Sequence, residues 1–156
     1  MLRRVAEVMR ERTDDIAGWL TLELNKPLDQ SKDEVCMGIE QFEWYAEETK
    51  RIYGHVIESR QPHGKILIQH ESLGVVAAFT SWNFPVALAA RKIAPALAAG
   101  CSVILRPAEE APGSAMAFVQ CLHEAEVPTG VINLINGVAD TISPVLTVSY
   151  THLTLP

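Results

Sequence analysis

The chain has 156 residues, enough for one domain with a proper core, and carries a net charge of −6. Its lysines and arginines are interspersed with acidic residues and form no basic patch, which argues against nucleic acid as a partner. No apolar stretch reaches membrane-spanning length, and Met1-Leu2-Arg3-Arg4-Val5 opens a charged amphipathic segment instead of an apolar leader. A cytoplasmic protein with no membrane association is therefore expected.

From Arg3 to about Asn25, apolar residues recur at Val5, Val8, Met9, Ile16, Leu20 and Leu24 with charges between them, the pattern of an amphipathic helix. A break is expected near Thr13-Asp14-Asp15, where a new N-cap can form. Asn25-Lys26-Pro27 ends this unit, and a second helix is predicted from about Asp29 to Tyr53, closed by Gly54. Ser59 to Gly64 reads as a polar turn and Lys65 to His70 as a strand. A strand at Gly74–Phe79, a helix at Pro85–Ala99, a strand at Ser102–Leu105, a helix at Ser114 to about Glu126 and a strand at Val131–Ile135 follow. Strands alternating with helices imply a parallel sheet with right-handed crossovers. Its buried apolar face is expected to comprise Val75, Val76, Val103, Ile104, Ile132 and Leu134.

The turn Thr80-Ser81-Trp82-Asn83-Phe84-Pro85 lies between the first of these strands and its helix. Doubly wound sheets bind ligands at the carboxyl ends of their strands, and the Asn83 amide can donate to a developing oxyanion there. The plain alternative makes Asn83 a helix cap and Trp82 and Phe84 core aromatics. Cys36, Cys101 and Cys121 are widely spaced without a CxxC pair, so neither a disulfide framework nor a zinc site is indicated. All three are expected to be buried structural thiols, unsuited to act as nucleophiles.

Ser81-Trp82-Asn83-Phe84-Pro85, the run Ala94-Pro95-Ala96-Leu97-Ala98-Ala99-Gly100-Cys101 and Val103-Ile104-Leu105-Arg106-Pro107-Ala108-Glu109 closely resemble the amino-terminal cofactor domain of aldehyde dehydrogenases. The resemblance takes in Asn25-Lys26-Pro27, Glu34 and Phe42-Glu43-Trp44-Tyr45-Ala46 upstream. Downstream it takes in Ala125, Val127-Pro128-Thr129-Gly130-Val131-Ile132-Asn133 and Gly137. The Trp82-to-Cys101 pattern is most similar to succinate-semialdehyde dehydrogenases.

The resemblance implies an α/β fold: a partial doubly wound, Rossmann-like parallel sheet with two amino-terminal helices and one oligomerisation-arm strand, residues 65–71. Residues 1–147 would form a truncated NAD(P)-binding domain of an enzyme oxidising an aldehyde, in particular a semialdehyde, to an acid. Asn83 is then the catalytic amide, and Thr80, Ser81, Trp82, Asn83, Arg106, Glu109 and Gly137 line the cofactor, with no metal. The cofactor implied is NAD, with NADP as the alternative, since Glu109 would repel a 2′-phosphate whereas Arg106 stands where relatives usually carry lysine. The partners implied are a small-molecule aldehyde and, in the full-length protein, further copies of itself. The nucleophilic cysteine and the general-base glutamate would lie beyond these residues, leaving the fragment inactive. Two plain alternatives remain: a solvated Arg106–Glu109 ion pair with a helix-start Gly137, and a nucleotide-binding half-domain with no chemistry. Residues 148–156 depart from the family pattern and read as a non-native tail encoded by an adapter sequence.

Overall fold

The computed structural model describes residues 1–147, so the reading of 148–156 as a non-native tail lies outside the described residues. Helix α1 (Leu2–Glu11) and α2 (Thr13–Leu24) are separated at Arg12, where Asp14 and Asp15 open the second helix with charges that suit its N-terminal dipole. Asn25 takes a left-handed conformation (φ 53°) at the end of α2, and Pro27 then leads into α3 (Leu28–Glu48). The second helix is shorter than predicted, since its last turn tightens into a 3-10 segment at Thr49–Arg51.

A strand that the sequence reading missed, β1 (His55–Glu58), pairs antiparallel with β2 (Lys65–Ile68). The predicted arm strand is thus half of a hairpin closed by the Ser59–Gly64 turn.

Beyond it the chain alternates as expected: β3 (Val75–Phe79), α4 (Pro85–Ala98), β4 (Ser102–Arg106), α5 (Pro112–Glu124), β5 (Ile132–Leu134) and α6 (Ala139–Thr147). Strands β3, β4 and β5 are parallel and adjacent in that order. Same-direction, right-handed crossovers lay α4 and α5 on one face of the sheet. Helices α1–α3 pack outside them, and Phe42 meets Phe118 with ring centroids 6.1 Å apart. Each fully buried side chain of this size contributes about 1.5–3 kcal/mol, so the three-layer stack is the main source of stability.

The strand period of two corrects the predicted core face. Register places Val76, Ala78, Val103, Leu105, Ile132 and Leu134 on the helix-covered face, where they are buried or half-buried. Val75 and Ile104 fall on the opposite face; Val75 is exposed and Ile104 half-buried.

The cysteines divide likewise. Cys101 and Cys121 are buried, but Cys36 is exposed on α3, against expectation, because the helical turn carries it away from its buried neighbour Val35. Burial pushes the Cys121 thiol up to about 11. A thiol reagent near pH 8 should therefore modify Cys36 alone in the native chain and all three cysteines only in denaturant, read by mass spectrometry. Fast native labelling of Cys121 would contradict this packing.

Candidate active site

Phe79 ends β3 and Pro85 begins α4, so residues 80–84 form the turn at the carboxyl edge of the sheet. The Thr80 amide donates to the Arg106 carbonyl (3.2 Å), which extends the β3–β4 ladder one residue and aligns the two strand ends. Trp82 and Phe84 are exposed, so neither is a core aromatic.

Asn83 is exposed, and it gives α4 no side-chain cap. The Ser81 hydroxyl donates to Asn83 Oδ1 at 2.7 Å. That bond engages the acceptor end of the amide and leaves its Nδ2 donors without a partner among the described residues. Because Asn83 is exposed, those donors face solvent at the strand end.

The capping of α4 comes from elsewhere. Glu34, buried on α3, accepts from the amides of Val86 (2.9 Å) and Ala87 (3.3 Å). It is paired with Lys26, whose ammonium also donates to the Asn83 carbonyl (3.1 Å) and lies 4.3 Å from the Phe84 ring centroid. Lys26 enters the sequence analysis only as part of Asn25-Lys26-Pro27. Its position beside Glu34 and Asn83 is a tertiary fact with no local signal.

Arg106, at the end of β4, donates to Glu109 Oε1 (2.6 Å) and to the Gly137 carbonyl (2.9 Å). The two side chains do form an ion pair, solvated on one side only: Arg106 is 8% exposed, whereas the Glu109 side chain is 46% exposed. Glu109 Oε1 also accepts from the Ala139 amide (2.8 Å) at the start of α6. That backbone bond, aided by Arg106, holds the Glu109 carboxyl below the usual carboxylate range, so it is ionised at neutral pH. Gly137 has φ 152°, a backbone conformation that residues with a Cβ rarely adopt, so the position favours glycine; the space beside it is bounded only by the end of the Ile142 side chain.

Two buried polar atoms near these strand ends, Thr80 Oγ1 and Arg106 Nε, have no hydrogen-bond partner among the described residues. Buried groups of this kind are uncommon, and leaving one unsatisfied costs about 1–3 kcal/mol. On the far side of the turn, a groove of about 280 Å³ runs between α3 and α4, lined by Met37, Gln41, Phe84, Ala87, Leu88 and Arg91. Arg91 is exposed and has no acidic partner among the described residues, which makes it the free cation of an otherwise largely apolar groove. The sequence reading had not singled it out. Among the described residues no group of three His, Cys, Asp or Glu side chains could hold a metal.

Comparison with known proteins completes the picture. The family model described as the aldehyde dehydrogenase family matches residues 1–152. The chain is 44% identical over 146 residues to glutarate-semialdehyde dehydrogenase of Pseudomonas putida, covering 94% of this chain and 30% of the relative. It is 43% identical over 147 residues to the NADP(+) succinate-semialdehyde dehydrogenase of Escherichia coli, covering 94% of this chain and 30% of the relative. The crystal structure of succinate-semialdehyde dehydrogenase from Burkholderia pseudomallei superposes with a TM-score of 0.91 at 40% identity, covering 95% of this chain and 31% of that one. The chain therefore spans about 30% of the length of these curated relatives. With its sheet order, its Asn83 turn and a match over nearly every residue, the chain belongs to the aldehyde dehydrogenase family.

Proposed function

We propose that these residues form the cofactor-holding, oxyanion-stabilising part of an enzyme that oxidises a small anionic aldehyde to its acid. The observation that carries this reading is the Asn83 amide: its oxygen is tied down by Ser81, and its donors have no partner among the described residues at the carboxyl edge of a parallel sheet. Negative charge grows on the aldehyde oxygen when a nucleophile adds, and a pre-aimed donor favours that charge more than it favours the neutral carbonyl. The nucleophile itself is read as lying outside these residues. Two of the three cysteines are buried, and Cys36 has no hydrogen-bonded base among the described residues. By that reading the 156-residue chain alone has no aldehyde dehydrogenase activity.

The exposed Glu109 carboxylate and the positive-φ Gly137, both just past the carboxyl ends of adjacent parallel strands, suit the ribose and phosphate groups of a dinucleotide. NAD(P)+, when bound, accepts the hydride from the aldehyde carbon. Thr80, Ser81, Trp82 and Gly137 would contact it on the Asn83 side, and Arg106 and Glu109 at the adenosine ribose. Of the two forms we favour NAD. The charge of Arg106 is matched by Glu109, which leaves little to attract a 2′-phosphate while the carboxylate repels one. The β1–β2 hairpin is read as an oligomerisation arm, because Val56, Ile57, Ile66, Leu67 and Ile68 are 42–62% exposed on it.

The anionic preference rests on Arg91. A groove lined by Met37, Phe84, Ala87 and Leu88, with the Gln41 amide and an Arg91 that has no acidic partner among the described residues, favours a short aliphatic aldehyde with a distal carboxylate, as in the semialdehydes named for two relatives. In a full-length enzyme carrying these residues, Asn83→Ala should lower kcat about a hundredfold with the KM for NAD little changed. Normal kcat would reduce Asn83 to a turn residue. Arg91→Leu should raise the KM for succinic semialdehyde by roughly tenfold or more, while a neutral aldehyde such as butanal is unaffected. Equal effects on both substrates would remove Arg91 from substrate recognition.

A further inference from the structure

We propose that Lys26 and Glu34 are positioning residues that hold the Asn83 amide in its productive geometry, an inference that rests on Asn83 being the oxyanion donor. Glu34 is 1% exposed, and an ionised carboxylate so far from water is tolerated only if its lone pairs are satisfied. They are satisfied next to the Asn83 turn: Oε1 takes the amides of Val86 and Ala87 in the first turn of α4, and Oε2 takes Lys26. Lys26 passes the constraint onward, donating to the Asn83 carbonyl and lying over the Phe84 ring. One ion pair therefore ties down the backbone oxygen of residue 83, the ring of 84 and the amides of 86 and 87.

The purpose of this pair is not simply to cap a helix. A Ser or Asp at the N-cap would satisfy the first turn of α4 locally, whereas Phe84 stands there and the cap is reached from α3, 52 residues earlier. A buried ion pair is also a poor source of net stability compared with apolar packing. What it does supply is a fixed peptide plane after Asn83, which sets where the Cα–Cβ bond aims the amide. Ser81 then fixes the amide's rotation through Oδ1. With backbone and side chain both anchored, the Nδ2 donors meet the developing charge without reorganising.

The test is a double-mutant cycle in a full-length enzyme carrying these residues: Lys26→Gln, Asn83→Ala and the pair, with Lys26→Arg as the conservative control. Lys26→Gln should lower kcat by roughly tenfold or more while the KM for NAD stays within about twofold, and Lys26→Arg should recover most of the loss. In the Asn83→Ala background, Lys26→Gln should cost less than about twofold, because the group it positions is gone. Losses that multiply, or an unchanged kcat in Lys26→Gln, overturn the proposal while leaving Asn83 its role. A normal kcat in Asn83→Ala overturns the oxyanion reading and this inference with it. If Lys26→Gln does not fold, Glu34→Gln carries the same cycle, since it keeps an acceptor for Val86 and Ala87 and removes only the charge that holds Lys26.

Discussion

Glu34 is the residue on which the site's geometry depends. It stands on a helix of the amino-terminal layer, yet its carboxylate is spent on the first turn of α4, one layer down, and on the lysine that grips the Asn83 carbonyl. The same device recurs twice. Glu23 on α2 accepts from the amides of Gly113 (2.6 Å) and Ser114 (2.8 Å) at the start of α5. Glu109 accepts from Ala139 at the start of α6. Neither α4 nor α5 has a local side-chain cap, so the two helices that cover the sheet are both held at their positive ends by glutamates from elsewhere.

That arrangement makes the amino-terminal helices part of the site and not an appendage to it. Helix packing sets roughly where α4 and α5 lie, but apolar contacts are non-directional and leave freedom to slide or rotate. Carboxylates aimed at particular amides remove that freedom at the ends nearest the chemistry. The Asn83 turn, the Arg106–Glu109 pair and the Gly137 turn then follow from strand ends aligned by the ladder between β3 and β4. Thr80 Oγ1 and Arg106 Nε, buried and without a hydrogen-bond partner among the described residues, sit among these fixed elements.

Much of this was legible in the sequence. The apolar runs at Gly74–Phe79 and Ser102–Leu105, with Ala-rich helices between strands, announced a parallel sheet, and Asp14-Asp15 marked the break between α1 and α2. Asn83 could be placed at a strand end from the polar turn alone. Other features had no local signature. β1 is four residues long and follows Gly54 directly, too short for a two-residue period to stand out. Cys36 looked buried because Val35 beside it is, although adjacent positions on a helix face different ways. Val75 and Ile104 were assigned to the core face by hydrophobicity, whereas the register put them on the other side. The Lys26–Glu34–Val86 connection joins the α2–α3 loop to α3 and α4, and the Arg106 guanidinium also bonds the Gly137 carbonyl, 31 residues away. Such contacts arise only when the layers close.

Hydrogen exchange at the amides of Val86 and Ala87, compared between the wild-type chain and Glu34→Ala, tests the tie between the helical layer and the Asn83 turn most directly. Those two amides should exchange at least about tenfold faster in the variant, as expected when an N-terminal amide loses its acceptor, while Gly113 and Ser114, held by Glu23, stay protected. Unchanged protection at Val86 and Ala87 would show that packing alone holds the turn, and would contradict the account given for Glu34.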